Sequence, residues 1–393
     1  MVEKKIRSLQ LISVRWWNAT AYYGVILAKI LNRNNYFSMI CGQKNSPPII
    51  QAKYFSIPLK DTVDMESKNP FMLLRSFIKI KNIIHDYKLG ILNAHRPEDH
   101  FFGALLRRKN YLPLIRTIGD VREPKINPVN KWLHLYLTDF FIFSSFANQR
   151  RYQNVWPIPN EKCAVIYAPV DTNYFKPRNT LTEIRKKLGI SIDKIVFGLV
   201  ARLSPVKDHI TFLKSAALIL KKYGNAEFIV SGKAVEITHK DLVEKSRELG
   251  IKQNIHILDE MTDVRDIIDS IDIGVVCSKG SEAICRIAAE FLAMSKPIIL
   301  TQINVLPEMI TNGIEGFLVP PESPSQLANK MELFLVNSKL QNKMGVNARL
   351  TAEIKFSQNK MLEDTLNVYK NLIRSGRSDD PNTKSVNQPH RAQ

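Results

Sequence analysis

The apolar positions of this chain alternate between two spacings. Short, nearly unbroken apolar runs mark strands buried on both faces; between them apolar residues return every three or four positions, as on one face of a helix. In the first half, residues 6–14, 36–42, 90–95, 112–119 and 139–145 predict strands, and 20–33 and 70–88 predict helices. Asn69-Pro70 opens the second helix with a start signal. In the second half, 194–202, 226–233, 254–259, 273–278 and 297–302 predict strands. Helices are expected over 208–224, closed by Gly224, and over 263–272 and 285–295. Two more helices follow Pro321, and a last one covers 357–374. Strand–helix alternation of this kind predicts an α/β protein with parallel sheets.

A chain of 393 residues accommodates two or three domains at roughly 150 residues each. The stretch around 168–180 has two prolines, turn formers and no helical period, so it divides residues 1–170 from 171–356. Residues 375–393 are polar without apolar periodicity and read as a disordered tail. The 45% hydrophobic and 24% charged composition is that of a globular protein and excludes collagen-like or wholly disordered classes. No apolar run reaches about 18 residues, the length needed to span a membrane as a helix. The N-terminal MVEKKIRSLQLISV reads as a first strand rather than a signal peptide, because its apolar run is short and no small-residue cleavage site follows. Cys41, Cys163, Cys277 and Cys285 are scattered, which suggests reduced thiols in a cytoplasmic protein and no zinc site.

Charge changes the picture. The net charge is +19, and residues 1–170 carry 25 basic against 11 acidic residues, a net +14. A basic half with interleaved aromatics points to a polyanionic partner: nucleic acid, an anionic membrane surface or a phosphorylated acceptor. Membrane-facing candidates are Arg75, Lys79 and Lys81 on the 70–88 helix and the Arg107-Arg108-Lys109 cluster, where cations stand beside apolar residues. The alternative for the helix is that its apolar face belongs to the core.

Two constellations carry chemistry. In ARLSPVK (201–207), Arg202 stands at the carboxyl end of a predicted parallel strand and Lys207 follows five residues later. Open α/β sheets bind ligands at such ends, and two cations there suit a diphosphate: a fork and a point charge. In KGSEAICRIAAEFLAMSKPII (279–299), Glu282 lies in a loop and Glu290 in the following helix, not stacked on one face. Backbone N–H groups of Ala283, Ile284, Cys285 and Arg286 open that helix and suit an anion. Glu290 falls among apolar residues, where a carboxylate needs donors such as ribose hydroxyls.

Together these features resemble the retaining GT-B glycosyltransferases of the GT4 family, over most of residues 160–350. Arg202-x4-Lys207 is similar to the family's R-x4-K clamp and Glu282-x7-Glu290 to its E-x7-E signature. VIYAPVDTNYFKP (165–177) and PEMITNGIEGFLVPPESPSQLA (307–328) resemble two further family segments. AHRPEDH (94–100) places His95 where many members carry a functional histidine, and this first half resembles that of bacterial lipopolysaccharide and surface-glycan transferases. The family's usual E-G-F-G reads Glu282-Ala283-Ile284-Cys285 here. Its glycine-rich first turn is replaced by VRWWNATAYYG (14–24), and Gly119 and Asp120 stand where some members have a second histidine.

The resemblance implies two Rossmann-like α/β domains facing a central cleft, with the 357–374 helix crossing back to the first. It implies that Arg202 and Lys207 hold a nucleotide-sugar's diphosphate, Glu290 its ribose and Glu282 its sugar, with amides at 283–286 assisting and His95 nearby. Acceptor candidates are Trp16, Trp17, Asn18, Arg96, His100, Asp120 and Arg122. The acceptor would be a glycan or a lipid-linked or phosphorylated molecule. No cofactor and no metal are expected, and no nucleic-acid partner. The protein would be cytoplasmic, with peripheral association at the inner leaflet. Two other readings stay open: a nucleotide-sugar epimerase or hydrolase on the same fold, and a basic nucleic-acid-binding protein. The second has no zinc-finger spacing or RNP-like run behind it.

Overall fold

The structure, a computed structural model, describes residues 6–110, 112–178 and 183–378; the side chains of 108–110 and 375–378 lie outside the description. Two compact units divide after Tyr167 and again after Lys360, where the chain returns to the first unit.

The first unit holds strands β1 (Arg7–Leu11), β2 (Phe37–Cys41), β3 (Leu59–Lys60), β4 (Ile91–Ala94), β5 (Leu114–Ile118), β6 (Phe140–Phe143) and β7 (Cys163–Val165). Its helices are α1 (Ala19–Arg33), α2 (Pro47–Tyr54), α3 (Pro70–Asp86), α4 (Pro97–Asn110), α5 (Pro128–Tyr136) and α6 (Phe146–Gln153). The strands pair in parallel in the order β3-β2-β1-β4-β5-β6-β7. The second unit holds β8 (Ile195–Val200), β9 (Ala226–Ser231), β10 (Ile255–Leu258), β11 (Ile273–Val276), β12 (Ile298–Thr301) and β13 (Gly316–Val319). Helices α7 (Glu183–Lys187), α8 (His209–Leu220), α9 (His239–Glu248), α10 (Val264–Ser270), α11 (Arg286–Ala293), α12 (Leu306–Met309), α13 (Pro324–Val336) and α14 (Ser338–Lys355) accompany them. The sheet is again parallel, in the order β10-β9-β8-β11-β12-β13. In each sheet the strand order reverses once, between β1 and β4 and between β8 and β11. Loops leaving the carboxyl ends of such a pair diverge and open a crevice, the usual ligand position in this architecture.

Parallel strands covered on both faces must be apolar throughout, and IVFGLV of β8 is buried along its middle. Phe197, Phe212 and Phe228 form the centre of that core, with the Phe197 and Phe228 rings stacked at 5.5 Å. Gly232, just after β9, has no alternative: a Cβ would fall 1.8 Å from the Ala201 carbonyl oxygen. The two strand ends thus run against each other where ARLSPVK begins. The Asp171 turn that opens the second unit is held from α14 by Arg349, which donates to the carbonyls of Thr172 (3.0 Å) and Phe175 (2.8 Å).

Several boundaries differ from the sequence expectation. The strand expected over 6–14 ends at Leu11, because Ile12 to Val14, although buried, turn away to start the β1–α1 loop. The 208–224 helix stops at Leu220, ahead of a turn that includes Gly224. Helix α15 (Gln358–Ser378) passes residue 374, so 375–378 are helical rather than tail, and Gly376 is tolerated near a helix end. The remaining tail residues, 379–393, and linker residues 179 and 180 lie outside the described residues. Helix α4 is not foreseen, although Pro97 with Glu98 and Asp99 in the first turn is a start signal.

Candidate functional site

In the second unit the residues singled out by sequence gather beyond the carboxyl ends of β8 and β11. Lys207 ends a short 3-10 turn after β8, and Glu282 lies in the loop after β11. Their side chains form an ion pair across the reversal of strand order. Glu282 is 3% exposed and also accepts from the Ser278 hydroxyl at 2.5 Å. Ser278 is fixed in turn, its carbonyl accepting from Thr301 Oγ1 at 2.5 Å. Arg202 points into solvent with no ion pair or side-chain hydrogen bond among the described residues. Arg202 is therefore open, whereas Lys207 is held by a carboxylate.

Backbone strain concentrates here. Asp208, Ser281 and Asn304 take left-handed φ values of 50°, 59° and 48° just beyond β8, β11 and β12. Non-glycine residues adopt this region at a cost, and such positions cluster at functional sites. Asp208 is also the N-cap of α8 and accepts from Thr211 N at 3.3 Å and Thr211 Oγ1 at 2.7 Å. Helix α11 begins at Arg286, after Ala283, Ile284 and Cys285. Burial pushes the Cys285 thiol up, so it remains a neutral thiol rather than a nucleophile. Glu290 is buried on α11, with Arg286 3.4 Å away one turn earlier. Burial raises its pKa, and Arg286 only partly opposes the shift. Glu282 and Glu290 thus stand in different environments: one neutralised by lysine, the other short of donors.

In the first unit the equivalent crevice lies between β1 and β4. His95, directly after β4, is buried, and its Nε2 donates to Gln10 Oε1 of β1 at 3.0 Å. Its Nδ1 has no partner among the described residues. Asp99 joins the two loops, accepting from Ser13 N (3.1 Å) and Arg96 N (3.0 Å). Of the acceptor candidates, Asn18 is occupied as the N-cap of α1, accepting from Ala21 N at 3.0 Å. Arg96 pairs with Glu66 and with Glu98 at 3.4 Å. Both side chains thus already have partners within the fold. Trp16 and Trp17 are 57% and 40% exposed beside this loop.

The other three acceptor candidates meet elsewhere. His100, Asp120 and Arg122 line a cavity of about 1070 Å³ in the first unit, with Arg116 of the segment 116–124 that sequence reading expected beside a cleft, and with His134 and Tyr152, which it did not single out. Asp120 and Arg122 pair at 2.7 Å. His100 Nε2 donates to Thr138 Oγ1 at 2.7 Å, and that hydroxyl donates on to the Leu133 carbonyl. His134 donates through Nδ1 to the Asn130 carbonyl and stacks between Phe141 and Trp156. An arginine inside the alternating run LPLIRTIG and a histidine on a helix gave no signal of a shared cavity.

The membrane candidates divide as well. Arg75 and Lys81 are exposed on α3, and Lys79 donates to the Thr62 carbonyl at 3.0 Å. Arg107 grips Asp139 through two bonds of 2.7 and 2.5 Å. The side chains of Arg108 and Lys109 lie outside the description. The apolar residues of α3 fall on two faces. Ile80, Ile83 and Ile84 enter the core, whereas Phe71, Met72, Leu74 and Ile78 are exposed. Among the described residues no helix is long and apolar enough to cross a membrane, and no group of three or more His, Cys, Asp or Glu side chains could hold a metal ion.

Residues 181–351 match the family model described as Glycosyl transferases group 1. The chain is 24% identical to "Putative glycosyltransferase EpsD" of Bacillus subtilis over 339 residues, covering 82% of this chain and 85% of that one. It is 23% identical over 326 residues to the N,N'-diacetylbacillosaminyl-diphospho-undecaprenol alpha-1,3-N-acetylgalactosaminyltransferase of Campylobacter jejuni, covering 79% and 84%. The crystal structure of Anabaena HepE in complex with UDP superposes with a TM-score of 0.82 at 18% identity, covering 93% of this chain and all of that one (100%). The two parallel-sheet units have the fold of the GT-B glycosyltransferases, and the match over 181–351 marks the protein as a transferase enzyme.

The buried histidines make stability pH-dependent. Burial lowers His95 to about 3, His134 to about 4 and His209 to about 4, and lowers His100 well below its ordinary value. An unfolded chain protonates its histidines below about pH 6.5, and the folded protein resists doing so. Their contribution is therefore fully present above that pH and is lost as pH falls toward 4. Each loses about 1.4 kcal/mol per pH unit in that window. Asp99, pushed up to about 7 by burial, opposes this with one proton. Denaturant titrations should show stability falling from pH 7 to pH 5, with a shallower slope in His134→Gln. An unchanged slope in that variant would contradict the assignment.

Proposed function

We propose that the protein moves a sugar from a nucleoside-diphosphate donor to a glycan or lipid-linked acceptor in bacterial surface-polysaccharide synthesis, with retention of anomeric configuration. The observation that carries this reading is the Lys207–Glu282 pair across the β8–β11 reversal, with Arg202 unpaired beside it. A diphosphate entering there meets two cations and the amides that open α11. Arg202 and Lys207 then stabilise the charge that builds on the departing phosphate, which is the largest demand of the transition state. Lys207 releases Glu282 as it turns to the phosphate, and the freed carboxylate accepts hydroxyls of the donor sugar. Glu290, poor in donors, accepts the ribose hydroxyls, which relieves the cost of burying it.

Transfer on one face of the sugar lets an oxygen of the departing phosphate take the proton of the attacking acceptor hydroxyl. No side chain need then act as base, and the arginine–lysine pair supplies the charge neutralisation a divalent metal gives elsewhere. His95, neutral and with Nδ1 open, serves as a hydrogen-bond acceptor that positions a hydroxyl. UDP in the HepE complex makes a uridine nucleotide the first donor to test, and the diphospho-undecaprenol named for the Campylobacter enzyme favours a lipid-linked acceptor. The exposed apolar residues of α3 beside Arg75 and Lys81 suit docking of the first unit on an anionic leaflet.

Thermal-shift titration with UDP, GDP, ADP and TDP tests the donor site. One nucleotide should stabilise the wild type. Arg202→Ala should bind it about tenfold to a hundredfold more weakly, since a hydrogen bond to a charged group contributes roughly 1.5–3 kcal/mol. Because Arg202 has no ion pair or side-chain hydrogen bond among the described residues, its variant should melt as the wild type does without ligand. Equal affinity in both would refute the assignment. For docking, the protein should float with anionic vesicles at low salt and less with Arg75→Glu/Lys81→Glu. Equal flotation with neutral lipid would rule the docking out.

A further inference from the structure

Polar side chains are uncommon in a strand buried on both faces, because each must find partners away from water. Strand β1 carries two of them, Ser8 and Gln10, both fully buried and two residues apart, so they share one face of the sheet. Ser38 of β2 stands beside Ser8 in register, and the two hydroxyls bond at 3.0 Å. The Gln10 side-chain nitrogen lies 3.2 Å from each of these hydroxyls and 3.3 Å from that of Tyr369. Tyr369 is buried on the part of α15 that belongs to the first unit. The other end of the amide, Oε1, meets His95 Nε2 at 3.0 Å. The ring is limited from a second side: a Cβ on Gly24 of α1 would fall 3.1 Å from both Cε1 and Nε2 of His95, so the helix backbone lies against it.

An amide oxygen only accepts, and a neutral imidazole carries one hydrogen on one of its two nitrogens. Burial holds the His95 ring neutral, so one nitrogen is bare. With the hydrogen on Nε2, the Gln10 contact is satisfied and Nδ1 is left as an open acceptor. With the hydrogen on Nδ1, two lone pairs face each other at 3.0 Å, and the Nδ1 hydrogen has no partner among the described residues. A buried N–H without a partner is the rarer defect of the two and costs its full desolvation. Turning the amide over would bring its oxygen to the three hydroxyls, but would again leave the ring hydrogen on the unpartnered Nδ1. We propose that Gln10 is a positioning residue: anchored by Ser8, Ser38 and Tyr369, it fixes His95 as the Nε2–H tautomer and orients its ring. Fully buried itself, Gln10 acts through His95. This rests on the reading of His95 given above only in supplying a substrate hydroxyl for the bare Nδ1; the tautomer does not depend on it.

The test uses the full chain with isotope-labelled histidine, reading the ring nitrogens by NMR and assigning His95 with His95→Gln. The wild type should show a protonated Nε2 and a bare Nδ1, with the Nε2 hydrogen exchanging slowly. Gln10→Met, similar in length but without an acceptor, should exchange that hydrogen several-fold to about tenfold faster, the scale of one lost hydrogen bond. Gln10→Glu keeps an acceptor against the ring and should preserve the wild-type tautomer, a rescue that packing alone would not give. A wild-type hydrogen on Nδ1, or an exchange rate unchanged in Gln10→Met, would overturn the proposal. The wild-type spectrum decides even where a variant does not fold. Saturating UDP-glucose, its binding followed by thermal shift, should then move the Nδ1 signal. If the tautomer holds and bound UDP-glucose leaves Nδ1 unmoved, Gln10 keeps its role and only the reading of His95 as the partner of a hydroxyl falls.

Discussion

The reversal of strand order in each parallel sheet is the constraint on which the rest depends. Neighbouring loops elsewhere lie against the sheet, but the loops after β1 and β4, and after β8 and β11, turn to opposite sides and leave a gap. A gap in a folded protein must be closed by something. In both units a buried carboxylate closes it: Asp99 reaches the Ser13 amide in the first, and Glu282 holds Lys207 in the second. The two differ in chemistry. Asp99 accepts backbone N–H groups, which are fixed by the fold, so it joins its loops permanently. Glu282 accepts from a lysine ammonium and a serine hydroxyl, both on rotatable side chains, so its contact can be exchanged for a ligand.

That difference separates the roles of the units. Around Glu282, the left-handed residues Asp208, Ser281 and Asn304 concentrate backbone strain in the loops after β8, β11 and β12. Arg202 has no ion pair among the described residues, and the buried Glu290 has Arg286 3.4 Å away. The first unit instead lines its cavity with neutral, buried histidines, an apolar wall and charged side chains of both signs, Glu98, Asp120 and Glu123 beside Arg116, Arg122 and Lys125. Net +14 over residues 1–170 adds long-range attraction for anionic partners, which fades with salt.

Much of this was legible in the chain. The strands showed because parallel sheets demand continuous apolar runs, as in KIVFGLVAR and PIILTQ. The candidate donor residues could be picked out because each motif is local: a strand end, a loop and a helix start carry R-x4-K or E-x7-E within one segment. What failed to show depends on distance or on mixed signals. Lys207 and Glu282 are separated by 75 positions, so their pairing appears only when β8 and β11 become neighbours. Helix α4 was hidden because Arg96-Pro97-Glu98-Asp99 and Arg107-Arg108-Lys109 flank its apolar centre with charge. Helix α3 carries two apolar faces, and periodicity alone does not reveal which of them meets the core. The capping bond of Asn18 and the ion pairs of Arg96 were equally invisible in the chain, because capping and ion pairing use the same side chains as ligand binding.

The most direct test of the account is a crystal structure with the nucleoside diphosphate that the protein binds. The account predicts the diphosphate between Arg202 and Lys207, the Lys207–Glu282 contact broken or lengthened, and the ribose hydroxyls on Glu290. A nucleotide bound elsewhere, or bound with the Lys207–Glu282 pair intact and Glu290 untouched, would contradict it.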